Sequence, residues 1–247
     1  YFLSNQGPTP AHIRAVFRVA ARRPELWDPV SGTIRDALAF TPLENRTAVP
    51  LTLPPYGSLF VVFRVAGDVS RQATHATNEF VLTTVSELAG PWQLSFDPRW
   101  GGPANVTFDK LEDWTARPEE GIKHYSGTAV YRNAFDLPPP AQAAVADGKT
   151  VFLDLGTVKE LAEVRLNGQS LGVVWCPPWR VDVTGAVRER DNRLEVDVVN
   201  FWPNRLIGDA ALPPERRRTA TNITKFTADS PLMESGLLGP VILQLEE

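Results

Sequence analysis

The sequence predicts an all-β protein made of two β-sandwich units. Short runs in which apolar and polar residues alternate recur along most of the chain. The joints between these runs are rich in turn formers, with 22 Pro and 17 Gly among 247 residues. A convincing amphipathic helix is lacking, because the alanine-rich run 141–146 is too short to stand alone. A catalytic (β/α)8 barrel is therefore not expected within these residues.

Composition narrows the classes of function. Hydrophobic residues make up 43% of the chain, enough for a buried core, while a net charge of −4 argues against a nucleic-acid partner. No apolar run approaches the roughly 20 residues of a membrane helix, so no membrane partner is expected. Cys176 is the only cysteine, which excludes an internal disulfide and a cysteine zinc cluster. The chain starts at Tyr1 rather than Met, which favours a processed or excised piece of a longer protein.

Residues 1–66 are predicted to form a small antiparallel β-sandwich unit. The stretch HIRAVFRV, residues 12–19, alternates apolar residues with a face that carries one His and two Arg, as a half-buried strand does. Further strands are predicted on both sides of an Asp-Pro-Val-Ser-Gly turn within 25–40, and on both sides of a Pro-Pro-Tyr-Gly turn within 46–65. The polar segment 67–88 lacks periodicity and is predicted to be a linker or crossing segment.

Residues 89–247 are predicted to form a second sandwich of the jelly-roll type. The Asn167-Gly168 pair fits a hairpin turn that requires positive φ. Eight short strands separated by proline- and glycine-rich joints favour a sandwich or jelly roll. The predicted strands are Trp92–Phe96, Asn105–Phe108, Thr128–Leu137, Thr150–Leu155, Ala162–Leu166, Val181–Val183, Leu194–Asn200 and Pro240–Leu245.

The second unit resembles the sugar-binding jelly-roll domain of glycoside hydrolase family 2. Five family motifs follow one another in the family's order, so the resemblance implies a galactose-binding-like jelly roll. The stretches that carry them are SGTAVYRNAFDLP (126–138), VFLDLGTVKELAEVRLNGQSLGVVWCPPWRVDVTGAV (151–187), NRLEVDVVN (192–200) and GLLGPVILQ (236–244).

Nearly the whole chain is similar to the C-terminal β-sandwich region of large bacterial family 106 α-L-rhamnosidases. The similar stretches are WDPVSGTI, PPYGSLFVVF, GPWQLSFDPRWGGP, GIKHYSGTAVY, NFWPNRLIGD and TNITKF. In that family the catalytic carboxylates lie on an N-terminal barrel, so the resemblance assigns no catalytic residue here. It implies an upstream catalytic barrel domain as a partner if this chain is a fragment. It also implies a periplasmic or secreted location, although no signal peptide opens the sequence.

Tryptophans are the main candidates for carbohydrate contact, because the apolar face of a sugar ring stacks on a flat aromatic ring. The Trp175-Cys176-Pro177-Pro178-Trp179 corner is rigid and rich in aromatic surface, which suits either stacking or docking. Polar candidates come from the neighbouring loops. The predicted sugar-binding residues are Trp100, Trp175, Trp179, Asn204, Arg205 and His124.

The stretch 200–226 is a long non-periodic insertion between two strands, and loops of this length are usually functional or disordered. It contains Arg216-Arg217-Arg218, and the planar guanidinium group matches a carboxylate. Two interpretations stay open: the arginines hold an acidic sugar, or the loop packs against acidic residues of the barrel.

A glycosidase needs two carboxyl groups on either side of the scissile bond, roughly 5–5.5 Å apart for retention or 6.5–9.5 Å for inversion. The candidates are Glu119, Glu120, Asp113 and Asp209. No metal site is predicted. A structural calcium ion, which binds 6–8 oxygens, has weak compositional candidates only, in Asp97, Asn105, Asp109 and Asp154.

Three hypotheses follow for the function. The first is a non-catalytic accessory module of a rhamnosidase-like glycoside hydrolase that contacts carbohydrate. The second is a small stand-alone glycosidase with a carboxylate pair on the jelly-roll scaffold. The third is a lectin-like carbohydrate-binding domain without catalysis.

Overall fold

The computed structural model describes residues 1–64, 77–79, 81–222 and 224–246. The chain divides into two compact units, residues 1–80 and 81–247. Strands dominate both units and helices are few, so the predicted all-β class is confirmed. None of the helices in these ranges is long and apolar enough to cross a membrane.

The described part of the first unit contains seven strands in two antiparallel sheets. One sheet has the order β1-β7-β3-β4 and the other the order β2-β6-β5. The strands are β1 (Phe2–Ser4), β2 (Ala11–Phe17), β3 (Glu25–Trp27), β4 (Ile34–Asp36), β5 (Thr41–Leu43), β6 (Arg46–Leu53) and β7 (Ser58–Val62).

The core of the first unit follows the alternation predicted from the sequence. Val49, Leu51 and Leu53 are buried along β6, as expected. On β2, Phe17 is buried, but Ile13 near the start of the strand is exposed. The alternation therefore identifies the inward face of β2, while the depth of burial varies along the strand.

The second unit contains twelve strands and three α-helices within its described residues. Single 3-10 turns lie at Pro98–Trp100, Trp114–Ala116 and Pro214–Arg216. The elements are β8 (Leu82–Glu87), β9 (Trp92–Phe96), β10 (Val106–Phe108), α1 (Glu120–Lys123), β11 (Thr128–Phe135), α2 (Pro139–Ala146), β12 (Val151–Asp154), β13 (Thr157–Lys159), β14 (Leu161–Leu166), β15 (Gln169–Val174), β16 (Arg180–Asp182), β17 (Asn192–Val199), α3 (Pro203–Ala210), β18 (Gly236–Gly239) and β19 (Ile242–Glu246).

Two antiparallel sheets enclose the core of the second unit. The larger has the order β10-β9-β11-β17-β14-β15, the smaller the order β16-β12-β19-β8, and β13 pairs with β18. Inward side chains from both sheets, among them Leu94, Tyr131, Val196 and Leu153, belong to one buried cluster. The predicted turn at Asn167-Gly168 is confirmed, with φ values of 55° and 83°. It joins β14 to β15 in a hairpin.

The structure differs from the sequence interpretation in several segments. The segment 67–88, predicted as a linker or crossing, contains β8, an edge strand that needs only β19 as partner. Residues 67–76 and 80 of that segment lie outside the described residues. The 141–146 run does form α2, because Ala141 and Ala144 are buried. The supposed loop 200–226 contains α3, whose buried face is largely polar.

Candidate functional site

Several loops lie at the same end of the large sheet, as the register of its paired strands shows. Ala129 lies between Phe96 and Val198, and Ala162 lies between Val198 and Val174, so one row of paired residues crosses five strands. With strands ~4.8 Å apart, the row is ~19 Å wide. The chain leaves the sheet just beyond this row after β9, β15 and β17 and enters it there before β11 and β14. We call residues 97–102, 119–126, 175–179 and 200–219 the loop end.

An aromatic pair lies at the loop end. The rings of Trp100 and Trp202 meet edge to face, with centroids 5.3 Å apart. Trp100 is partly buried against the core, whereas Trp202 is 51% exposed and its neighbour Phe201 is similarly exposed. Gly101 ends the 3-10 turn of Trp100 in the left-handed conformation, at φ 92°. The pair therefore offers an aromatic surface to a ligand or a neighbouring domain.

The two tryptophans of the Cys-Pro-Pro corner have different environments. Trp175 is 60% exposed, whereas Trp179 is 9% exposed and belongs to the core cluster. The backbone carbonyl of Trp179 also accepts a hydrogen bond from Leu155 N at 2.8 Å. The predicted sugar contact of Trp179 does not fit this burial, because little of its side chain is accessible to a ligand. The corner holds Trp175 outward and anchors it through Trp179.

A buried ion pair lies on α3, where Nε of Arg205 is 3.0 Å from Oδ1 of Asp209. The other carboxylate oxygen accepts hydrogen bonds from Arg218 N at 3.0 Å, Thr219 N at 2.8 Å and Thr219 Oγ1 at 2.7 Å. Burial lowers the pKa of Arg205, and the charge of Asp209 opposes that effect. Asp209 therefore compensates the buried guanidinium group and fixes the chain at 218–219 to the helix.

His124 lies between α1 and α3. Its Nδ1 is 3.0 Å from Oε2 of Glu120, whose side chain is exposed. A Cβ on Gly208 would lie 2.7 Å from Cβ of His124, so only glycine permits this approach of the two segments. Glu120 thus lies at the surface of the loop end, whereas the side chain of His124 is mostly buried against α3.

Asn204 is buried and hydrogen-bonded within the unit. Its amide nitrogen donates to Met233 O at 2.7 Å, and its amide oxygen accepts from Met233 N at 2.8 Å. The amide of Asn200 similarly donates to Tyr125 O at 2.9 Å. These amides hold the long connection after β17 against the sandwich. The structure therefore gives Asn204 a bracing position, without a free polar group for a sugar hydroxyl.

The structure places the four candidate carboxylates in different environments. Asp113 caps a 3-10 turn, and its Oδ1 accepts from Thr115 N at 3.0 Å and from Ser235 N at 2.9 Å. Glu119 pairs with Arg117, whose hydrogen bond lowers the pKa of that carboxyl. Asp209 is committed to Arg205, and Glu120 extends into solvent. Glu120 is therefore the candidate whose carboxylate is open to a ligand.

The candidate calcium ligands do not form a cation site. Asp97 is held by Arg99, with Nη2 2.7 Å from Oδ2. Asp154 accepts a hydrogen bond from Gly156 N at 2.8 Å through Oδ1. Within the described ranges, no three His, Cys, Asp or Glu side chains gather as metal ligands would.

Sequence reasoning missed two features of the loop end. The pairing of Trp202 with Trp100 depends on contacts between distant segments, and the sequence holds no local signal for it. The role of Asp209 had such a signal, since Arg205 and Asp209 are four residues apart, a spacing that brings side chains together on a helix. The signal was lost because 200–226 was interpreted as an irregular loop.

Comparisons with known proteins agree with the motifs. Residues 112–224 match the family described as glycosyl hydrolase 2 galactose-binding domain-like. The chain is 36% identical to part of a solved rhamnosidase from Novosphingobium sp. PP1Y, with a TM-score of 0.90. That match covers 100% of this chain and 22% of the rhamnosidase. The resemblance to a rhamnosidase region with a family 2-type jelly roll is confirmed.

Other relatives are named as glucuronidases. A putative β-glucuronidase from Formosa agariphila is 39% identical over 177 residues, which are 62% of this chain and 15% of the relative. A β-D-glucuronidase structure from Dictyoglomus thermophilum is 16% identical with a TM-score of 0.45, over 68% of this chain and 28% of that one. The chain thus spans less than a quarter of the rhamnosidase and of the putative β-glucuronidase.

Proposed function

We propose that this chain is a non-catalytic accessory module of a rhamnosidase-like glycoside hydrolase and that its loop end contacts carbohydrate. The whole-chain similarity to one region of a rhamnosidase supports the first part of the proposal. The observation that carries the second part is the Trp100–Trp202 pair, which offers an exposed ring beside polar side chains. Aromatic platforms of this kind bind the apolar face of a sugar ring.

The state of the candidate carboxylates supports a non-catalytic role. A glycosidase general acid needs a raised pKa, whereas Arg117 lowers the pKa of Glu119. Asp209 compensates a buried arginine, and moving it would leave that cation unpaired. Asp113 caps a turn through backbone hydrogen bonds. Glu120 is exposed and lies 3.0 Å from Nδ1 of His124, so none of the four candidates is placed as one of two facing carboxyl groups.

A second candidate role for the loop end is docking on an upstream catalytic barrel. Phe201, Trp202 and Trp175 are each more than half exposed, and exposed apolar clusters often mark a protein interface. This chain matches only 22% of the rhamnosidase from Novosphingobium, so a protein of that size has room for a partner domain.

Turnover on aryl glycosides, including the α-L-rhamnoside, tests the non-catalytic role with the purified 247-residue chain. We expect no hydrolysis above the level of a chain carrying both Glu119→Gln and Glu120→Gln. Hydrolysis that falls in either single variant would overturn the accessory assignment in favour of a stand-alone glycosidase.

Titration with L-rhamnose tests the loop end separately. Trp202→Ala should weaken binding severalfold, since stacking on an aromatic ring is lost. Tyr56→Ala is the matched control, because Tyr56 is an exposed aromatic residue of the first unit. Binding that Trp202→Ala and Trp100→Ala leave unchanged would overturn the sugar contact. Absence of any binding would favour docking on the barrel.

A further inference from the structure

A groove lies on the outer face of the large sheet, at the end opposite to the loop end. Its volume is about 710 Å³, within the range of ligand pockets. The register explains its position, because Gln93 pairs with Arg132, Arg132 with Glu195, and Glu195 with Arg165, forming one row across four strands. These side chains point away from the core, since Leu194 and Val196 on either side of Glu195 are buried.

Small residues leave the groove open. Ala134 pairs with Arg193, two residues along the strands from the Arg132–Glu195 pair. Gly168 lies at the adjacent hairpin turn. Ala89 and Gly90 line the side formed by the connection into β9. A longer side chain at Ala134 would project from the outer face of β11 into this space. The groove therefore results from small residues at these few positions.

The charges in the groove are unequally satisfied. Arg165 contacts three carboxylates, with Nη2 2.7 Å from both Glu195 Oε1 and Asp197 Oδ2 and Nη1 3.2 Å from Glu163 Oε2. Arg132 donates from Nε to Glu195 Oε2 at 2.8 Å and from Nη1 to Ser95 Oγ at 2.9 Å. Arg165 therefore has no remaining demand for an anion, whereas Arg132 keeps one nitrogen uncommitted.

Arg193 is the unsatisfied cation. It is exposed at the groove, and its guanidinium group makes no ion pair or hydrogen bond with any part of the chain that the structure describes. It lies diagonally to Arg132 on the neighbouring strand, where Cβ atoms are less than ~7–8 Å apart. Both guanidinium groups can therefore reach one carboxylate. The groove lining holds three Arg and one Glu, although the whole chain carries a net charge of −4.

We propose that this groove binds a carboxylate-bearing saccharide, with Arg193 and the free nitrogen of Arg132 holding the carboxylate. Neutral polar groups are available for the hydroxyls. The amide oxygen of Gln93 accepts from Thr107, so its NH₂ group faces the groove uncommitted. Asn133 also lines the groove, at its edge, where its amide nitrogen donates to Ala89 O. Donors and acceptors beside a planar arginine fork suit a uronic acid.

The charge pattern favours one carboxylate over a polyanion. Of the three arginines that line the groove, Arg193 and one nitrogen of Arg132 lack an anionic partner among the described residues. Glu195, Asp197 and Glu163 surround Arg165 with negative charge. A nucleic acid or a densely sulfated chain would meet these carboxylates and the overall negative charge of the protein. A single uronate carries one negative charge, so both repulsions are smaller for it than for a polyanion. The inference does not depend on the proposed sugar contact of the loop end.

Isothermal titration of the full chain with D-glucuronic acid tests the groove, with D-glucose and acetate as separate ligands. We expect millimolar binding of the uronate, weakened by added salt, and at least about fivefold weaker binding of both comparison ligands. Arg193→Gln should weaken uronate binding at least about fivefold, since the charge-assisted hydrogen bonds are lost. Arg14→Gln is the matched control, because Arg14 is an exposed strand arginine of the first unit.

Three outcomes would overturn the proposal. Equal binding of uronate by the unmodified chain and by Arg193→Gln, or no binding, would remove the groove as the site. Equal binding of acetate would reduce it to a carboxylate contact without saccharide recognition. Trp202→Ala is titrated in parallel: loss of uronate binding in Trp202→Ala but not in Arg193→Gln would assign the uronate to the loop end and overturn the groove.

Discussion

Arg205 and Asp209 lie one turn apart on α3, and their side chains, 7% and 4% exposed, form an ion pair in the interior of the loop end. Thr219 and Arg218 bind the second carboxylate oxygen through backbone N–H groups. Arg218 in turn donates from Nη1 to Arg99 O at 2.9 Å, in the turn that carries Trp100. One carboxylate therefore connects α3 to the aromatic pair.

We expect Asp209→Asn to lower the free energy of unfolding by about 3 kcal/mol, because Arg205 would remain as an uncompensated, nearly buried cation. Urea denaturation followed by circular dichroism measures this change. Asp229→Asn is the control, since Asp229 is exposed. A loss no larger than that of the control would show that the ion pair does not stabilise the loop end.

The sequence predicts strands well wherever alternation is regular. Trp92–Phe96 is found as predicted, and Thr150–Leu155 shortens by one residue at each end. In contrast, α3 was missed because its buried face includes Asn204, Arg205 and Asp209, which look like surface residues until their partners are known. Polar residues become interior ones only when distant segments supply partners, and one sequence does not reveal those partners.

The two candidate sites were predictable to different degrees. Trp100 and Trp175 could be proposed from their position beside Gly and Pro, and both lie at the loop end. The groove needed the neighbour order of β11, β17 and β14, which brings Arg132, Glu195 and Arg165 into one row. The alternation of charged and apolar residues along β17 was visible in the sequence. Their partners were not, because strand order is a non-local property.

Tyr131→Phe should lower the free energy of unfolding by about 3 kcal/mol. The hydroxyl of Tyr131 is buried, where desolvation raises its pKa, and it accepts hydrogen bonds from Trp114 Nε1 at 2.5 Å and Leu237 N at 3.1 Å. The variant leaves two buried donors without an acceptor, at about 1–3 kcal/mol each. Chemical denaturation measures the loss, with Tyr56→Phe as the exposed control. Equal stability of the two variants would contradict the importance of this acceptor.

Gly121→Ala should disturb the aromatic pair from a distance. A Cβ at Gly121 would lie 2.1 Å from Gly101 O, a contact that real Cβ atoms do not make, so the 3-10 turn of Trp100 must move. We expect a loss of about 1–3 kcal/mol, typical of overpacking, together with a changed near-ultraviolet circular dichroism spectrum. Gly185→Ala is the matched control, because a Cβ there meets nothing within 4 Å. An unchanged spectrum in the Gly121 variant would mean that the turn tolerates the shift.

Glu195 gives the stability of the second unit a defined pH dependence. Partial burial opposes ionisation of Glu195, but hydrogen bonds from Arg165 and the charge of Arg132 outweigh it, so folding lowers its pKa below the ordinary value of 4.5. A carboxyl whose pKa is lowered by folding binds fewer protons in the folded state than in the unfolded state. Its stabilising contribution is therefore complete above pH 4.5 and is lost as the pH falls through the folded pKa.

Glu195→Gln should remove this contribution. The difference in unfolding free energy between the unmodified chain and the variant should be constant from about pH 6 to 8 and shrink below about pH 4.5. Urea denaturation at a series of pH values measures it. Glu189→Gln serves as the control for the loss of one carboxylate, because Glu189 is exposed. A difference that stays constant to about pH 3 would mean that the arginines do not favour ionised Glu195, and the charge balance inferred for the groove would then have to be revised.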